Sequence, residues 1–355
     1  MDVHWLAPDS RRWDDFLSAT PHDAYHRPGY VALSAAHDGG EPMALLVEEG
    51  DRRLFFPLIL RPLPDGGHDA ASPYGYPGPL ASAAGQADEA FLCRAIETAA
   101  EALHRRGVVS LFLRLSPCMA FPRGPLQRCG TLVDHGETVY LDLTLPREEL
   151  RRQLRPGHRY EIRRAQNGGA VVEVDASWRE IDGFRAMYAA TMRRVGAAGY
   201  YDFSREHFAN LRAALGSAVH LIVARIEGQL AGGALFFEVH GVVQYHLSAT
   251  ADAYLRQCPA KLVLDFARDW FQSRGNRVLH LGGGVCSRND SLFQFKAGFS
   301  RSRARFATWR RIVDPEAYTR LVRRWAERSG QTAAGPEGFF PAYRAPLSEQ
   351  RSRVA

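Results

Sequence analysis

The sequence is nearly without lysine. Of its 45 basic residues, only Lys261 and Lys296 are lysines. An ammonium is a compact point charge, whereas a guanidinium is a planar fork with several donors. Because the chain uses arginine almost everywhere else, the position of a lysine indicates a site that suits a compact charge. A coding bias toward arginine is the other explanation. Lys296 is the first candidate functional residue.

Cysteine motifs and long apolar runs are missing as well. The five cysteines are widely spaced and form no CxxC pair, and the 13 histidines form no HExxH motif, so we predict neither a disulfide framework nor a metal site. No apolar run approaches the roughly 18 residues that span a membrane. The N-terminus has no basic region followed by an apolar stretch, as a secretory signal would. These absences predict a cytoplasmic, reduced protein without an integral membrane segment.

Charge is plentiful, with 45 basic and 39 acidic residues. The formal net charge of +6 and the pI of about 9.2 favour an acidic partner such as phosphate, nucleotide or RNA. Two arginine clusters lie after residue 150, both in the part of the chain assigned below to the second domain and its C-terminal flank. The first comprises Arg151, Arg152, Arg155, Arg159, Arg163 and Arg164; the second comprises Arg301, Arg303, Arg305, Arg310 and Arg311. A solvated helix face is the alternative reading of each cluster.

The chain length of 355 residues predicts two domains. Alternating strand and helix patterns in the first half indicate a small mixed α/β domain. The second half carries helices, three consecutive strands, a helix that opens at Pro259 and two further strands, an order typical of acetyltransferase-type (GNAT) domains. We predict domains at 1–145 and 146–315, then a C-terminal helix and a loosely ordered tail at 316–355. Pro156 is expected to separate two helices.

Three segments together resemble the Fem family of tRNA-dependent aminoacyltransferases. They are the aromatic turn 72–80, the helix His158-Arg-Tyr-Glu-Ile-Arg-Arg-Ala165, and the stretch from Tyr245 to Phe299 that contains Leu292-Phe-Gln-Phe-Lys-Ala-Gly-Phe299. The resemblance covers roughly residues 70 to 310. It implies an α/β (α+β) fold of two tandem GNAT-like domains, the acyl-CoA N-acyltransferase fold, with a cleft between or beside them.

The resemblance also implies an activity and a set of site residues. An amino acid would pass from aminoacyl-tRNA to an amine of a peptidoglycan precursor or peptide-like secondary metabolite, as in antibiotic biosynthesis, with no cofactor. Phe295 and Lys296 match the Phe-Lys pair of the catalytic site, and Tyr245 matches a tyrosine of the acceptor site. The remaining matches are looser: Arg194, Tyr200, Tyr201 and Tyr76 for substrate, and Arg155, Arg159, Arg163 and Lys261 for tRNA or phosphate. No long helical arm is found for tRNA contact.

An aminoacyl ester is already activated, so the chemistry needs a positioned amine, removal of its proton and stabilisation of an oxyanion. Lys296 suits the oxyanion, or an acceptor phosphate or carboxylate. It also fits a solvated lysine on a surface helix, and Tyr245 fits a strand-face aromatic. Spacing does not choose a general base among Asp252, Asp290, His280 and Glu238.

Two further function classes stay open. An acyl-CoA-dependent N-acyltransferase of the same fold would carry a glycine-rich Q/R-x-x-G-x-G/A loop where this chain has Arg256-Gln-Cys-Pro-Ala-Lys261. Pro259 and Lys261 replace the small residues, which argues against acetyl-CoA, although Lys261 suits a phosphate. Gly282-Gly283-Gly284 forms either a phosphate cradle or a plain turn. The third class is a binding module without catalysis.

Overall fold

The computed structural model describes residues 1–197, 199–330 and 338–346. The chain divides into two compact units. The first joins residues 1–135 to the segment that begins at Phe306, and the second comprises Gly136–Arg305. The boundary predicted near Pro146 falls inside the second unit, and residues 306–315 belong to the first. Both divisions fall within strands, so no polar or flexible linker marks them in the sequence.

The elements follow the chain in this order. Residues 1–142 form β1 (Asp2–Leu6), α1 (Arg11–Ser18), α2 (Pro28–Asp38), β2 (Glu41–Glu49), β3 (Arg52–Pro62), β4 (His68–Ala71), β5 (Leu80–Ala81), α3 (Ala83–Gln86), α4 (Glu89–Arg105), β6 (Val108–Arg114), α5 (Arg123–Cys129) and β7 (Thr131–Asp142). The rest forms α6 (Arg147–Gln153), α7 (Pro156–Asn167), β8 (Val171–Val174), α8 (Ile181–Arg194), α9 (Arg205–Leu215), β9 (Val219–Ile226), β10 (Gln229–Val239), β11 (Val242–Thr250), α10 (Pro259–Ser273), β12 (Val278–Gly282), α11 (Ser291–Ala297), β13 (Arg303–Ile312) and α12 (Pro315–Ser329).

In the first unit the strands are ordered β1-β2-β3-β4-β6-β13, and β5 pairs with β3. Only β4 and β6 pair in parallel among these described strands. Helix α4 packs on the sheet through Phe91, Ile96 and Leu103, all buried. The Asp88 carboxylate accepts the Phe91 N–H at 2.8 Å and so caps the start of this helix.

In the second unit the order is β7-β12-β11-β10-β9-β8, with β11 and β12 parallel and the other pairs antiparallel. Helices α7 and α10 cover a core that includes Ile162, Leu262 and Phe271. The predicted interruption at Pro156 is confirmed, since α6 ends at Gln153 and α7 begins at Pro156. Proline lacks the N–H that a continuous helix needs and fits the first helical turn.

Part of the tail predicted to be loosely ordered lies outside the described residues. The described part, 338–346, is held against the rest of the first unit by side-chain hydrogen bonds. The Trp325 indole N–H donates to the Ala345 carbonyl at 2.8 Å, and the hydroxyls of Tyr343 and Ser110 lie 2.8 Å apart. Among the described residues, no helix has both the length and the apolar character that crossing a membrane requires.

Candidate functional site

Lys296 lies in the last turn of α11 and is only 9% exposed. Its ammonium donates a hydrogen bond of 2.6 Å to the Gly283 carbonyl. The surface-lysine interpretation is therefore wrong for this position. The helix itself is fixed at its start by the Asp290 carboxylate, which accepts the N–H groups of Phe293 at 2.8 Å and Val285 at 2.9 Å.

Burial lowers the pKa of Lys296 from 10.5 to about 8, although the charge of Asp290 acts in the opposite direction. Desolvation disfavours the charged form of an amine, and a paired carboxylate normally offsets that effect. Within the described residues, no carboxylate forms an ion pair with Lys296. The side chain is thus a buried cation held by a neutral carbonyl, and it titrates close to physiological pH.

The glycine-rich segment before α11 is a tight turn. Gly282 ends β12 with a φ of +78°, and Cys286 and Ser287 also have positive φ values. A Cβ on Gly284 would overlap the Arg288 carbonyl and the Asp290 carboxylate. The Asp290 carboxylate already accepts the Val285 N–H, and phosphate binding by Gly282-Gly283-Gly284 stays a prediction. The role of this turn in the structure is to aim the Gly283 carbonyl at Lys296.

Two buried polar residues of the sheet, Gln244 and His280, pair with each other, and His280 lies close enough to Lys296 to be affected by its charge. Gln244 on β11 stands opposite His280 on β12, and the His280 Nδ1 lies 2.7 Å from the Gln244 Oε1. Because an amide oxygen can only accept, Nδ1 is the protonated nitrogen of the ring. Burial, and then the positive charge of Lys296, lower the pKa of His280 to about 3. His280 is therefore a neutral imidazole across the working pH range.

Helix α7 is attached to the C-terminal end of α11. The Arg155 N–H donates to the Gly298 carbonyl at 2.8 Å, and the His158 Nε2 donates to the Phe295 carbonyl at 2.9 Å. A Cβ on Gly298 would overlap the His158 ring, so only glycine leaves room for this contact. Phe295 itself is half-buried against the core of the second unit. The Phe-Lys pair is thereby held from both ends of its helix.

The predicted acceptor residues of the second unit lie in two places. Tyr245 is half-buried on β11, against the same core as Phe295, and burial raises the pKa of its hydroxyl to about 12. Arg194 pairs with Asp252 and also donates to Thr191 at 3.3 Å, next to the end of β11. Tyr200 and Tyr201 follow α8, with ring centroids 5.2 Å apart at 85°. Their contacts with a substrate stay predictions.

Tyr76 belongs to the first unit. Its ring meets that of Phe306 edge-on at 5.3 Å, and Phe306 stacks on His135 at the same centroid distance. The neighbouring Gly75, with a φ of +107°, has no room for a Cβ because the Tyr25 ring lies against it. The segment 72–80 is thus a closely packed turn, and an acceptor contact by Tyr76 stays a prediction.

The candidate general bases are already engaged. Asp252 holds Arg194, and Asp290 caps α11. Burial would raise the pKa of Glu238, but hydrogen bonds from His220, Arg274 and Asn276 lower it to about 2. His280, with a pKa of about 3, is a weak base in this state. Neither Glu238 nor His280 is tuned to take a proton near neutral pH.

The predicted phosphate-binding residues divide into two kinds. Arg155, the N-cap residue of α7, and Arg163 on α7 are exposed, whereas Arg159 on α7 is half-buried. Lys261, in the first turn of α10, is 13% exposed at its side chain and pairs with Glu161 of α7. Its charge is therefore neutralised locally, and phosphate binding by Lys261 stays a prediction. In the described residues, no group of three or more His, Cys, Asp or Glu side chains is arranged to hold a metal ion.

Sequence reasoning missed His158 and Gln244 as members of the site. His158 is the first residue of the helix segment 158–165 that resembles the Fem family. The sequence does not show that this histidine lies close to Phe295 in space. The available signal was that the helix segment His-Arg-Tyr-Glu161 and the segment Lys-Ala-Gly-Phe299 occur together in the family resemblance. Gln244 gave no signal, because a glutamine beside a tyrosine in a strand is an ordinary pattern.

A family model described as an acetyltransferase (GNAT) domain matches residues 152–297. This range runs from the end of α6 through α11 and contains Lys296. By sequence, no curated protein matches the chain. The structure is similar to the crystal structure of FemX, with a TM-score of 0.67 and 12% identity over 86% of this chain and 97% of that chain.

Two other solved structures are similar. The C-terminal domain of a protein from Agrobacterium fabrum described as a lysylphosphatidylglycerol synthetase gives a TM-score of 0.52 and 15% identity, over 84% of this chain and 90% of that chain. A conserved protein of unknown function from Bacteroides thetaiotaomicron gives 0.54 and 11%, over 86% and 99%. At sequence identities this low, the structural similarity establishes the fold alone. The predicted α/β fold of tandem GNAT-like domains and the Fem-like resemblance in fold are confirmed, and these findings support an acyltransferase of the GNAT fold.

Proposed function

We propose that the protein forms an amide bond by moving an amino acid from aminoacyl-tRNA to an amine acceptor. The observation that carries this proposal is the Lys296 ammonium, buried without a carboxylate partner among the described residues and bound to the Gly283 carbonyl. Burying an uncompensated cation costs stability, so its presence indicates that the cation has a task. Oxyanion stabilisation is a task that a compact positive charge in a dry site performs well.

The reaction needs few protein groups. The acceptor nitrogen attacks the ester carbonyl, the C–N bond forms, and the ester C–O bond breaks. The ribose oxygen leaves and receives the proton that the amine loses. Lys296 has three N–H donors, of which one is given to Gly283. The remaining donors stabilise the negative oxygen that develops on the carbonyl.

Proton removal from the acceptor sets the lower pH limit. Because Asp252, Asp290 and Glu238 are engaged elsewhere, we propose that the acceptor enters as its neutral amine. The neutral fraction grows as the pH rises, whereas the charged fraction of Lys296 falls above a pH of about 8. The rate is thus expected to pass through a maximum between the acceptor pKa and that of Lys296.

The start of α10 supports an RNA-borne donor over an acyl-CoA. Cys258 has a φ of +54°, Pro259 supplies no N–H, and the Lys261 N–H already bonds the Cys258 carbonyl at 2.9 Å. A pyrophosphate at a helix N-terminus requires free backbone amides. Here Pro259 has no amide hydrogen, the Lys261 amide is already bonded, and the nearby positive charge is neutralised by Glu161. These residues do not fit the pyrophosphate of CoA.

The acceptor is proposed to be an amine of a peptidoglycan precursor or a peptide-like metabolite. This part rests on the resemblance of the chain to the Fem family and on the placement of Tyr245 and Arg194 at β11 and its end. Tyr245 keeps its hydroxyl protonated because burial raises its pKa to about 12. It is therefore available as a neutral hydrogen-bond donor to an acceptor carbonyl.

Incubation with a pool of charged tRNAs and candidate amines, followed by mass spectrometry, tests the proposal. Amide product is expected, and ribonuclease added beforehand should abolish it. Lys296→Met should remove product, whereas Arg152→Ala should not, because Arg152 lies on the surface of α6 and pairs with Glu149. Product that resists ribonuclease and requires an acyl-CoA would instead identify an acyl-CoA-dependent N-acyltransferase.

A further inference from the structure

Helix α7 exposes a row of arginines that lack acidic partners. Arg159 and Arg163 are spaced four residues apart on α7, so they lie on one face, and Arg155 is the N-cap residue at the start of the helix. No described carboxylate pairs with any of them; Arg155 bonds Gln294 and Arg159 bonds the Leu154 carbonyl. On the preceding helix α6 the arrangement is different, since Arg151 pairs with Asp269 at 3.1 Å and Arg152 with Glu149 at 2.9 Å. The α7 row is therefore a free positive surface.

An aromatic ring stands beside this row. Tyr160 is 65% exposed, the most exposed of the large hydrophobic side chains in the described residues. The guanidinium carbon of Arg164 lies 6.0 Å from its ring centroid, and Arg164 is itself held by a 2.8 Å hydrogen bond to the Arg256 carbonyl. Leu255, in the same 3₁₀ turn (Asp252–Gln257), is 44% exposed. The ring thus has a fixed cationic neighbour.

The opposite face of α7 fixes the position of this surface. Ile162 packs into the core, Glu161 pairs with Lys261, and His158 donates to the Phe295 carbonyl. The helix that presents Tyr160 therefore also contacts the residue next to Lys296. A ligand that lies along α7 is brought to the end of α11.

We propose that Tyr160 is a stacking platform for a base of the single-stranded 3′ end of the RNA donor. Arg155, Arg159 and Arg163 bind its phosphates, and Arg164 supports the ring from the side. This inference rests on the proposed function, because it names the part of the donor that the α7 surface takes. Stacking on an aromatic ring beside a basic track is how proteins bind single-stranded nucleic acid without reading its sequence.

The residues favour RNA over an anionic membrane. Membrane-surface helices bury a continuous apolar face in the lipid, with several large apolar anchors. On α7 the large aliphatic residue Ile162 faces the core, and Tyr160 is the one large aromatic that the helix exposes. One ring among guanidinium groups matches alternating bases and phosphates better than it matches lipid.

Binding of uncharged RNA to the full-length protein tests this inference. The probe is a short RNA duplex with a single-stranded 3′ overhang, compared with the same duplex made blunt. Tyr160→Ala should weaken binding of the overhang probe about tenfold. Tyr160→Phe should keep the affinity within about twofold, because the ring is retained. Phe339→Ala, at an exposed ring of the first unit, is the matched control and should bind like the wild type.

Salt dependence separates stacking from charge. Tyr160→Ala should leave the slope of log affinity against log salt unchanged, whereas Arg163→Ala should reduce it by about one. Equal loss of overhang and blunt binding in Tyr160→Ala would overturn the stacking assignment. Two other results would also overturn it. One is binding of the overhang probe by Tyr160→Ala with wild-type affinity; the other is a loss of binding by this variant that is seen only with anionic lipid vesicles.

The outcomes also distinguish this inference from the proposed function. If Tyr160→Ala loses overhang binding while amide product resists ribonuclease, the RNA surface stands and the donor assignment fails. If product depends on RNA but Tyr160→Ala binds and reacts like the wild type, the donor assignment stands and the role of Tyr160 is refuted.

Discussion

The two lysines of the chain occupy opposite electrostatic environments. Lys261, at the start of α10, is paired with Glu161. Lys296, near the end of α11, has a carbonyl oxygen as its partner, and burial lowers its pKa to about 8. Both side chains are largely buried. The difference lies in whether a negative charge has been placed beside the positive one.

The comparison separates a lysine that joins helices from a lysine that is available for chemistry. Lys261 and Glu161 connect α10 to α7, so that pair contributes to the packing of the second unit. Lys296 contributes no such pair and remains a cation at a place where charging it is unfavourable. A buried, uncompensated and fixed charge is what a site needs to stabilise an opposite charge that appears only during reaction.

The largest expected effect is on turnover. Lys296→Met should lower the rate of amide formation by about 10²–10³-fold, the usual result of removing one oxyanion donor. Lys296→Arg keeps the charge but replaces the compact ammonium by a planar fork, so it should restore little activity. Single-turnover assays with charged tRNA measure both variants. Full turnover by Lys296→Met would move the site elsewhere.

The next effect is on stability, and its sign should differ between the lysines. Lys296→Met should raise the free energy of unfolding at pH 7 by at most roughly 3 kcal/mol, since a buried charge disappears. Lys261→Met should lower it by roughly 1 kcal/mol, because Glu161 loses its partner. Urea denaturation at pH 7 compares them. If both substitutions changed the free energy of unfolding in the same direction, the proposed difference between the two lysines would be wrong.

The support of α11 by α7 gives an intermediate effect. Gly298→Ala should destabilise the protein by about 2 kcal/mol, because the new methyl group displaces the buried His158 ring. Gly157→Ala is the matched control in the first turn of α7, where nothing lies within 4 Å of the added carbon. It should be neutral or stabilise by up to about 1 kcal/mol. Thermal unfolding followed by circular dichroism gives both values; a neutral Gly298→Ala would contradict the packing described.

The pH dependence sharpens the comparison at Lys296 itself. The folded pKa of Lys296 lies near 8 and its ordinary value is 10.5, so the folded state holds fewer protons between these limits. Wild-type stability should rise relative to Lys296→Met as the pH increases from about 8 to 10.5, and the rate should fall by about tenfold per pH unit once the pH exceeds both the acceptor pKa and that of Lys296. Parallel denaturation and rate profiles measure this. A rate that climbs steadily to pH 10 would refute a charged Lys296.

Much of the second unit could be predicted from sequence, for local reasons. Pro156 and Pro259 mark helix starts because proline lacks an N–H, and the three consecutive strands β9, β10 and β11 follow the periodicity of the sequence. The short strand β8 was missed, since four alternating residues give little signal. Residues 306–315 were assigned to the second domain because the sequence shows no break within β13.

The site was less accessible than the fold. The count of lysines pointed equally to Lys261 and Lys296, and only tertiary structure places Glu161 beside one and Gly283 beside the other. The contacts of His158 and Gln244 likewise depend on residues far away in the chain. Sequence patterns specify which face of a helix is buried, whereas the charge environment of one side chain depends on the packing of several elements.

The most direct test is an NMR titration of lysine labelled at its ε-carbon or ζ-nitrogen. With only two lysines in the chain, the signal lost in Lys296→Met identifies Lys296. In the folded protein, the titration midpoint of that signal is expected near pH 8. A midpoint at its ordinary value of 10.5 would show a solvated or paired ammonium and would contradict the central claim.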